Sequence, residues 1–299
     1  IYTAQSIVNK YISELFKLSS GNCKKKTLNK ILVTGEVITS ELTEFYLKTV
    51  NMPVKLINAR NFIRIDRNKE PDYYYIKEYL ENELDKNDMN IYLTQGFICK
   101  NFIGETDHLG RGGSDKTATI IGKVLPAERV EIWSDKDGMM NNDPRCVNIT
   151  YALDSLSYEE AEELAAFGAK ILHPSCIKPA KESSVHVVLK NTCNPDSAGT
   201  LISDKTDNSS IKAVAAKDKV SVIKITASEM LLAYGFLKKI FQVFDFYKTP
   251  VDMISTSEVT VAVSIDDTEN LNDIITDLNK FGKTEVFSNQ TIIAVVGHI

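Results

Sequence analysis

The first half of the chain alternates between short apolar runs and stretches in which apolar residues recur at helical spacing. Residues 1–18 predict an amphipathic helix whose apolar face consists of Ile7, Val8, Ile12, Leu15 and Phe16. Helical patterns also cover 37–50 and the region around 75–80. Three short apolar runs are typical of buried strands: 31–33, 54–57 and 91–93. Strands that alternate with helices predict an α/β fold with a mostly parallel sheet sandwiched by helices.

A loop with three glycines separates the last of these strands from the next helix. It reads Leu109-Gly110-Arg111-Gly112-Gly113-Ser114-Asp115, and apolar residues at helical spacing follow it. A helix that starts from such a loop presents free N–H groups and its positive dipole end to an anion. Arg111 adds a guanidinium suited to a carboxylate or a phosphate, and Ser114 is the expected N-cap. The pattern predicts an anion-binding loop, with an ordinary capped helix as the alternative.

A second polar stretch follows the strand predicted at 130–133. Ser134, Asp135 and Gly138 come directly after that strand, and an Asp-Pro turn then leads to Arg145. In open α/β sheets the ligand binds beyond the carboxyl ends of the strands. The two polar segments are therefore expected to contribute to one binding region.

The pattern changes in the last third of the chain. Ser157-x-x-Glu160 is a capping box for a helix that Gly168 is expected to end, and a strand follows at 185–189. The stretch 194–210 is rich in turn-forming residues and predicts a linker, so we place one domain at 1–205 and another at 206–299. Beyond it a ferredoxin-like βαββαβ unit is predicted, with strands at 220–226, 251–257, 259–265 and 285–288 and helices at 235–247 and 271–281. Two strands are left over, 211–216 and 291–296.

Composition excludes several classes of protein. The 299 residues are 43% hydrophobic and 25% charged, as in a soluble globular protein. A net charge of −5, with no basic block beyond Lys24-Lys25-Lys26, argues against nucleic-acid binding. No apolar run reaches about 18 residues, so no membrane span is predicted. The five scattered cysteines fit reduced thiols of a cytoplasmic protein, and neither they nor the four histidines have metal-site spacing.

Four segments resemble the amino-acid kinase family and, within it, the aspartokinases. In order along the chain they are the loop at 109–115, Glu131-Ile132-Trp133-Ser134-Asp135-x-Asp137-Gly138, Asp143-Pro144-Arg145, and Phe167-Gly168-Ala169-Lys170-Ile171-Leu172-His173-Pro174. The unit after the linker is similar to an ACT domain, a small ligand-sensing module found on aspartokinases. The resemblance implies an amino-acid kinase domain followed by an ACT regulatory region, with one complete ACT unit and part of a second.

The resemblance also implies a reaction. The enzyme would use ATP and Mg²⁺ to phosphorylate the side-chain carboxylate of L-aspartate, the first step towards lysine, threonine and methionine. The nucleotide phosphates would hold Mg²⁺, since the sequence shows no dense carboxylate cage. The substrate would be bound by Glu36, Phe97, Arg111, Ser114 and Asp115, the catalytic residues would be Asp115 and Lys170, and the nucleotide would be bound by Ser134, Asp135, Arg145 and Lys170.

Several of these residues have a simpler interpretation. Glu36, at the end of the strand predicted at 31–33, would bind the substrate ammonium, but an acid is also favoured at the start of a helix. Phe97 would form a wall of the pocket, or it is a core aromatic. Lys170 would neutralise phosphates, although a solvated lysine is the alternative. These alternatives stay open at this point.

The ACT region is expected to bind a feedback amino acid between the two chains of a homodimer. The residues in the corresponding positions are Met230, Gly235, Val251, Asp252, Thr256, Ser257 and Glu258. Asp252 and Glu258 would bind ammonium groups, and two carboxylates suit a ligand with two amino groups. Lysine is therefore predicted over threonine. The alternative is that 251–257 is only a strand with a polar end.

The sequence departs from the aspartokinase pattern at three places. Asp107 and His108 stand where two threonines commonly precede the loop, and Met140 stands where an aromatic residue is common. A K-F-G-G-T-S strand is missing, so the resemblance implies an internal fragment, which also lacks the end of the second ACT unit and is not expected to turn over. Alternatives are a kinase of the same fold acting on glutamate or an N-acetylated acid, and a non-catalytic, amino-acid-sensing regulatory subunit.

Overall fold

A computed structural model describes residues 3–21, 24–84, 91–168, 172–205, 211–227 and 234–297. The chain divides into two compact units, the first covering Ile1–Lys212 and the second Ala213–Val296. The assignment of 1–205 to a catalytic domain and 206–299 to a regulatory region stays a prediction.

The first unit alternates helices and strands. Its helices are α1 (Ala4–Ser19), α2 (Lys25–Thr49), α3 (Ala59–Phe62), α4 (Tyr73–Glu83), α5 (Gly113–Val124), α6 (Tyr158–Ala166) and α7 (Pro174–Ser183). Its strands are β1 (Val54–Ile57), β2 (Ile91–Thr94), β3 (Ile98–Lys100), β4 (Thr106–His108), β5 (Arg129–Ser134), β6 (Ser155–Ser157), β7 (His186–Asn191) and β8 (Thr200–Ser203). The pairs β1–β2, β5–β7 and β6–β8 are parallel, whereas β3–β4 and β7–β8 are antiparallel. The predicted α/β class, with parallel strands and helices, is confirmed.

One long helix replaces the strand predicted at 31–33. α2 runs unbroken through this region, so the predicted strand was wrong, whereas the helix predicted at 37–50 is confirmed as the second half of α2. Its buried face has helical spacing but consists mostly of polar residues: Asn29, Val33, Thr34, Val37 and Ser40. Leu32 is 52% exposed, so the apolar run spans both faces of the helix. Glu36 consequently projects from the middle of a helix and is neither at a strand end nor a helix-start acid.

The main core of the first unit ends at the glycine-rich loop. It joins α1, α2, α4 and α5 to the strands β1 and β3 through fully buried side chains such as Ile7, Ile76, Leu80, Ile98 and Ile120. Each such side chain contributes roughly 1.5–3 kcal/mol through removal from water. Phe97 and Leu109 pack on the edge of this core and are only partly buried. The loop is therefore supported from behind by rigid, close-packed elements.

A four-stranded sheet in the order β5-β7-β8-β6 forms the rest of the first unit. The capping box of α6 is confirmed, because the Ser157 hydroxyl accepts from Glu160 N at 3.1 Å and Glu160 Oε2 accepts from Ser157 N at 2.8 Å. Gly168 follows the C-cap residue Phe167 with a φ of 125°. The linker predicted at 194–210 contains β8, which pairs with β7, so that prediction was wrong for 200–203.

The second unit has the predicted βαββαβ order. Its elements are β9 (Ala213–Thr226), α8 (Phe236–Phe246), β10 (Met253–Thr256), β11 (Thr260–Ile265), α9 (Leu271–Leu278) and β12 (Lys283–Val296). The sheet order is β10-β11-β9-β12, and its pairings are antiparallel. Ile240 of α8 and Ile274 of α9 are fully buried against Ile223, Val261 and their neighbours on one face of the sheet. This is the ferredoxin-like arrangement expected from the sequence.

The two strands left over in the prediction are not separate elements. Residues 211–216 and 220–226 belong largely to β9, and 285–288 and 291–296 belong to β12. The two long strands pair with each other as far as Ala213 and Val296. Lys219 and Asn289 have φ values of 63° and 56°, and the register shifts around the latter, so bulges interrupt the alternation without ending either strand.

Three findings apply to the described residues alone. No helix among them combines the length and the apolar character needed to cross a bilayer. No group of three or more His, Cys, Asp or Glu side chains among them is arranged to hold a metal ion. Of their cysteines, Cys99 and Cys176 are buried, while Cys146 and Cys193 are exposed, and all four are free thiols.

Candidate active site

The glycine-rich loop enters α5 through two left-handed residues. Gly110 and Gly112 have φ values of 78° and 67°, a region that glycine adopts without a steric penalty. Gly112 is the N-cap of α5, so the prediction that Ser114 caps the helix was wrong. Ser114 and Asp115 instead lie in the first turn, and Ser114 is exposed. Because no side chain caps α5, its first N–H groups and its positive dipole end face the loop.

The turn after β2 packs directly against this helix start. A Cβ at Gly96 would lie 2.7 Å from Ser114 Oγ, so the two backbones approach as closely as glycine allows. Phe97 has a φ of 49°, and its N–H donates to Thr117 Oγ1 of α5 at 3.0 Å. Its ring packs on the core edge, so Phe97 is in part the core aromatic that the simpler interpretation proposed.

Glu36 is bound to the same turn. Its Oε1 accepts from Gly96 N at 2.9 Å, and the side chain is half-buried. The neighbouring Gln95 is buried and joins Ala59 N to Ser40 Oγ of α2, both at 2.9 Å. Two hydrogen-bonded contacts therefore fix the middle of α2 to the turn, and they place the Glu36 carboxylate next to the residue that touches Ser114.

Charged groups converge where α5 and α7 begin. Burial raises the pKa of the Asp115 carboxyl, and His173 opposes that shift. Burial lowers the pKa of His173, as do the positive charges of Arg111 and Lys116, whereas Asp115 acts in the other direction. The Arg111 side chain is exposed and makes no hydrogen bond or ion pair with another described residue. The imidazole thus stands near a partly buried acid and an exposed guanidinium.

Asp107 and His108, which depart from the family pattern, accept hydrogen bonds from α2 and from the glycine-rich loop. Asp107 Oδ1 accepts from Nδ2 of the buried Asn29 on α2 at 3.2 Å. His108 Nδ1 accepts from Gly110 N at 3.1 Å, directly at the first left-handed residue. These bonds connect α2, which carries Glu36, to the loop that carries Arg111.

Two of the predicted nucleotide-binding residues, Ser134 and Asp135, lie at the carboxyl end of β5, next to the end of β7. Ser134 is the register partner of Asn191, and its carbonyl accepts from Thr192 N at 2.8 Å. Asp135 is exposed, and a hydrogen bond from Lys136 lowers the pKa of its carboxyl. Asp137 accepts from the side chains of Asn191 and Asn194 at 2.9 and 3.2 Å. The loop after β5 is therefore attached to the end of β7, which leaves Asp135 facing solvent.

Glycine shapes the same loop. Gly138 has a φ of 134°, and a Cβ there would lie 2.4 Å from Thr200 Oγ1. The Arg145 guanidinium is exposed and forms an ion pair with Asp143 in its own turn. Met140 bridges to Ala152. Lys170 lies outside the described residues.

The residues predicted to sense an amino acid are in the second unit. Gly235 is the N-cap of α8 with a φ of 76°, and Val251 packs on the core. Thr256 ends β10, Ser257 N donates to Thr260 O at 2.8 Å, and Glu258 is exposed. Met230 is not among the described residues.

Asp252 already has a cation of this chain beside it. Lys217 Nζ lies 2.9 Å from the Asp252 carboxylate and 3.0 Å from that of Asp266. Burial alone would lower the pKa of Lys217, but the two carboxylates outweigh it and raise the pKa. Of the two acids predicted to bind ammonium groups, Glu258 is thus the more exposed to solvent.

Sequence reasoning did not single out four polar residues of the site. Asn29, Gln95 and Asn191 are buried amides that hold the elements together, and the apolar pattern gives no signal for such residues. His173 is part of the segment 167–174, but no separate role was predicted for it from the sequence. Its position directly before a proline at a helix start could have marked it as an N-cap.

Comparison with known proteins agrees with this geometry. The amino acid kinase family matches residues 3–191. The chain is 30% identical to aspartokinase 1, chloroplastic, of Arabidopsis thaliana, over 98% of this chain and 56% of that protein. It is 31% identical to lysine-sensitive aspartokinase 3 of Escherichia coli, over 90% of this chain and 63% of that protein. The chain therefore spans little more than half the length of these two relatives.

A solved structure extends the likeness to three dimensions. The crystal structure of E. coli aspartokinase III in complex with aspartate and ADP, in the R-state, has a TM-score of 0.87 at 29% identity, covering 98% of this chain and 69% of that one. The family match extends over more than half of the residues and includes the loop, the turn and the strand ends described above. This chain belongs to the amino acid kinase family.

Proposed function

We propose that the protein containing this chain is an aspartate kinase, which transfers the γ-phosphoryl group of ATP to the side-chain carboxylate of L-aspartate and forms 4-phospho-L-aspartate. One observation carries the proposal: Gly96 donates to the Glu36 carboxylate and touches Ser114, which lies three residues after Arg111 on the glycine-rich loop. An acid and a guanidinium near one glycine-lined turn suit a small zwitterion such as an amino acid.

Each residue of this group has a role in the proposal. One oxygen of Glu36 is held by Gly96 N, and the other has no protein donor among the described residues, so it can accept from the substrate ammonium. Arg111 pairs with a substrate carboxylate, and Ser114 and the first turn of α5 supply further donors. Phe97 forms one wall. Asp115 is proposed to be catalytic because its partly buried carboxyl lies beside the acceptor loop, where it can orient the attacking carboxylate or stabilise a neighbouring cation.

The strand ends suit a nucleotide. An exposed carboxylate at Asp135 and the Ser134 hydroxyl are donors and acceptors for ribose hydroxyls, and the exposed Arg145 guanidinium suits phosphate. Lys170 is proposed to neutralise phosphate charge. The described residues offer no cluster that would hold a divalent ion alone, so Mg²⁺ fits only in company with nucleotide phosphates, where it neutralises charge.

The transfer itself demands alignment more than covalent chemistry. A carboxylate oxygen of aspartate forms a bond to the γ-phosphorus, and the bond from that phosphorus to the departing ADP oxygen breaks. The turn at Gly96 and the glycine-rich loop fix the position of the acceptor. Holding the reacting groups in line in this way lowers the activation barrier by several kcal/mol.

Regulation and assembly are part of the same proposal. The E. coli relative is named lysine-sensitive, and we propose lysine as the feedback ligand at Asp252, Glu258 and their neighbours in an ACT homodimer. We propose a cytoplasmic location, although the Arabidopsis relative is named chloroplastic.

The proposal is tested by ADP release from the complete protein, with aspartate, glutamate and N-acetylglutamate as acceptors. We expect activity with aspartate and at least a hundredfold lower kcat/KM for the other two. Preference for glutamate or its N-acetyl derivative would assign another kinase of this family. Absence of ATP binding in calorimetry would instead indicate a regulatory subunit.

A further inference from the structure

His173 uses one ring nitrogen to start a helix. It is the N-cap of α7, and its Nδ1 accepts from Ser175 N at 3.2 Å and lies 2.8 Å from Ser175 Oγ. Its carbonyl accepts from the N–H and the thiol of Cys176. A nitrogen that accepts from a backbone N–H carries no proton, so the neutral ring holds its proton on Nε2. The cap therefore fixes both the orientation and the tautomer of the imidazole.

The base of the His173 side chain lies against the glycine-rich loop. A Cβ at Gly112 would lie 2.2 Å from His173 Cβ, 2.7 Å from Cγ and 3.4 Å from Cδ2. No residue other than glycine fits at this distance, and Gly112 is also in the left-handed conformation. His173 therefore contacts the loop mainly through Cβ and Cγ, while its Nδ1 is bonded to α7.

The groups around the ring have both signs of charge. Arg111 precedes Gly112, Asp115 lies in the first turn of α5, and Lys116 follows it; all three interact electrostatically with the imidazole. Arg111 and Lys116 disfavour an imidazolium, whereas Asp115 favours it. The direction of the Arg111 side chain depends on the backbone at Gly112, because the two residues share a peptide unit.

We infer that His173 is a positioning residue of the acceptor site, which holds the backbone at Gly112 from the start of α7 and thereby sets the direction of Arg111 and Asp115. The inference rests on the proposed function, because it assigns Arg111 to substrate binding. It also states which atoms have which role: Nδ1 stabilises the start of α7, and Cβ and Cγ hold the loop at Gly112.

Two substitutions separate the cap from the loop contact. In His173→Ser the hydroxyl can still cap α7, but Cγ and the ring that lie against Gly112 are removed. In His173→Asn both Cγ and a capping oxygen are kept. His186→Ser, at an exposed position at the start of β7, is the matched control. The complete protein is assayed for the KM of aspartate and of ATP, for aspartate binding by calorimetry, and for its melting temperature.

We expect His173→Ser to melt within about 2 °C of the unsubstituted protein but to raise the aspartate KM and Kd about tenfold or more, with the ATP KM within twofold, since small misplacements of a positioning group cost this much. His173→Asn should keep an aspartate KM close to that of the unsubstituted protein. An unchanged aspartate KM in His173→Ser, a rise of the same size in His173→Asn, or equal rises for both substrates would overturn the inference. Failure of the unsubstituted protein to bind aspartate would overturn the proposed function instead, so the two failures are distinguishable.

Discussion

Lys212 Nζ lies 3.0 Å from the Glu160 carboxylate, and the two side chains are only 3% and 8% exposed. The same Glu160 oxygen accepts from Ser157 N in the capping box of α6. Lys212 also donates to Ser155 O at 3.3 Å and is the residue directly before β9. The ion pair thus fixes the end of the first unit to the start of α6, the helix that leads into the segment 167–174.

Lys212→Met is expected to lower the free energy of unfolding by about 3–5 kcal/mol, because it removes the cation of a buried ion pair. The double substitution Lys212→Met/Glu160→Gln should lose less, since the amide can still accept from Ser157 N. Urea unfolding measures both. Lys248→Met is the control, because the Lys248–Asp245 pair is 79% exposed on both sides and should change the free energy by less than about 1 kcal/mol. A loss in Lys212→Met no larger than in this control would contradict the prediction.

Arg111→Ala is expected to raise the aspartate KM at least tenfold and to leave the ATP KM within about twofold. The reason is its place on the acceptor loop, on a different element from Ser134 and Asp135. Loss of one partner of a desolvated charged hydrogen bond costs roughly 2–5 kcal/mol. Steady-state kinetics, with each substrate varied in turn, measure the two KM values. The control is Arg129→Ala, which changes an exposed arginine at the start of β5. Parallel rises in both constants would move Arg111 out of the acceptor site.

Asp115→Asn should separate stability from activity. Burial raises the pKa of Asp115 above its unfolded value, so the folded state binds the proton more tightly and the ionised carboxylate destabilises the fold at neutral pH. The asparagine variant should therefore have the higher unfolding midpoint at pH 7. This difference should shrink as pH falls and vanish below about pH 4, where Asp115 is protonated in both states. Activity should fall at least a hundredfold. A midpoint difference that grows on acidification would refute the assignment.

Two glycine-to-alanine changes are expected to have opposite effects. A Cβ at Gly35 would meet no atom within 4 Å on an exposed part of α2, so Gly35→Ala should stabilise the protein by about 0.5–1 kcal/mol through helix propensity. A Cβ at Gly96 would press on Ser114, so Gly96→Ala should raise the aspartate KM several-fold and destabilise the protein. Thermal melts and kinetics on both variants provide the comparison. Equal effects of the two changes would show that the Gly96–Ser114 contact is unimportant.

Glu258→Ala is expected to relieve inhibition by lysine at least tenfold without changing uninhibited kcat. Asp252→Asn should relieve it less, because Lys217 already neutralises Asp252. Inhibition curves with lysine and with threonine measure both effects. Threonine acting at a lower concentration than lysine would overturn the choice of effector, and loss of uninhibited activity in Glu258→Ala would assign that residue to the fold.

The sequence predicted the elements whose apolar periodicity is strong or whose start carries a capping box. The two helices of the second unit are examples of the first kind, and α6, with its box at Ser157 and Glu160, is an example of the second. α2 was not predicted as one helix for a physical reason: its buried face includes Asn29 and Ser40, which are stabilised by hydrogen bonds to Asp107 and Gln95 and not by apolar burial. Those partners lie more than 50 residues away in the chain, so no local pattern reports them.

The sequence predicted individual residues of the candidate site, but it did not predict the hydrogen bonds and contacts between them. The resemblance supplied Glu36, Arg111 and Asp115, while the bond from Gly96 N to Glu36 and the contact between Gly112 and His173 depend on tertiary packing. In β9 and β12 the error was the opposite one, because each long strand was predicted as two short strands. The bulges near Lys219 and Asn289 interrupt the alternation of apolar residues in the same way as a strand end. Local breaks in alternation do not distinguish a bulge from a turn.

The pairing of Ala213 with Val296 has a consequence for how such a protein is assembled in evolution. The chain enters the ferredoxin-like unit and leaves it on register partners, and facing residues on antiparallel strands are only about 5 Å apart. A segment whose two ends are neighbours can be gained, lost or exchanged by recombination at one surface position, without rerouting the host chain. One ferredoxin-like unit can thus be exchanged for another while the first unit keeps its sequence.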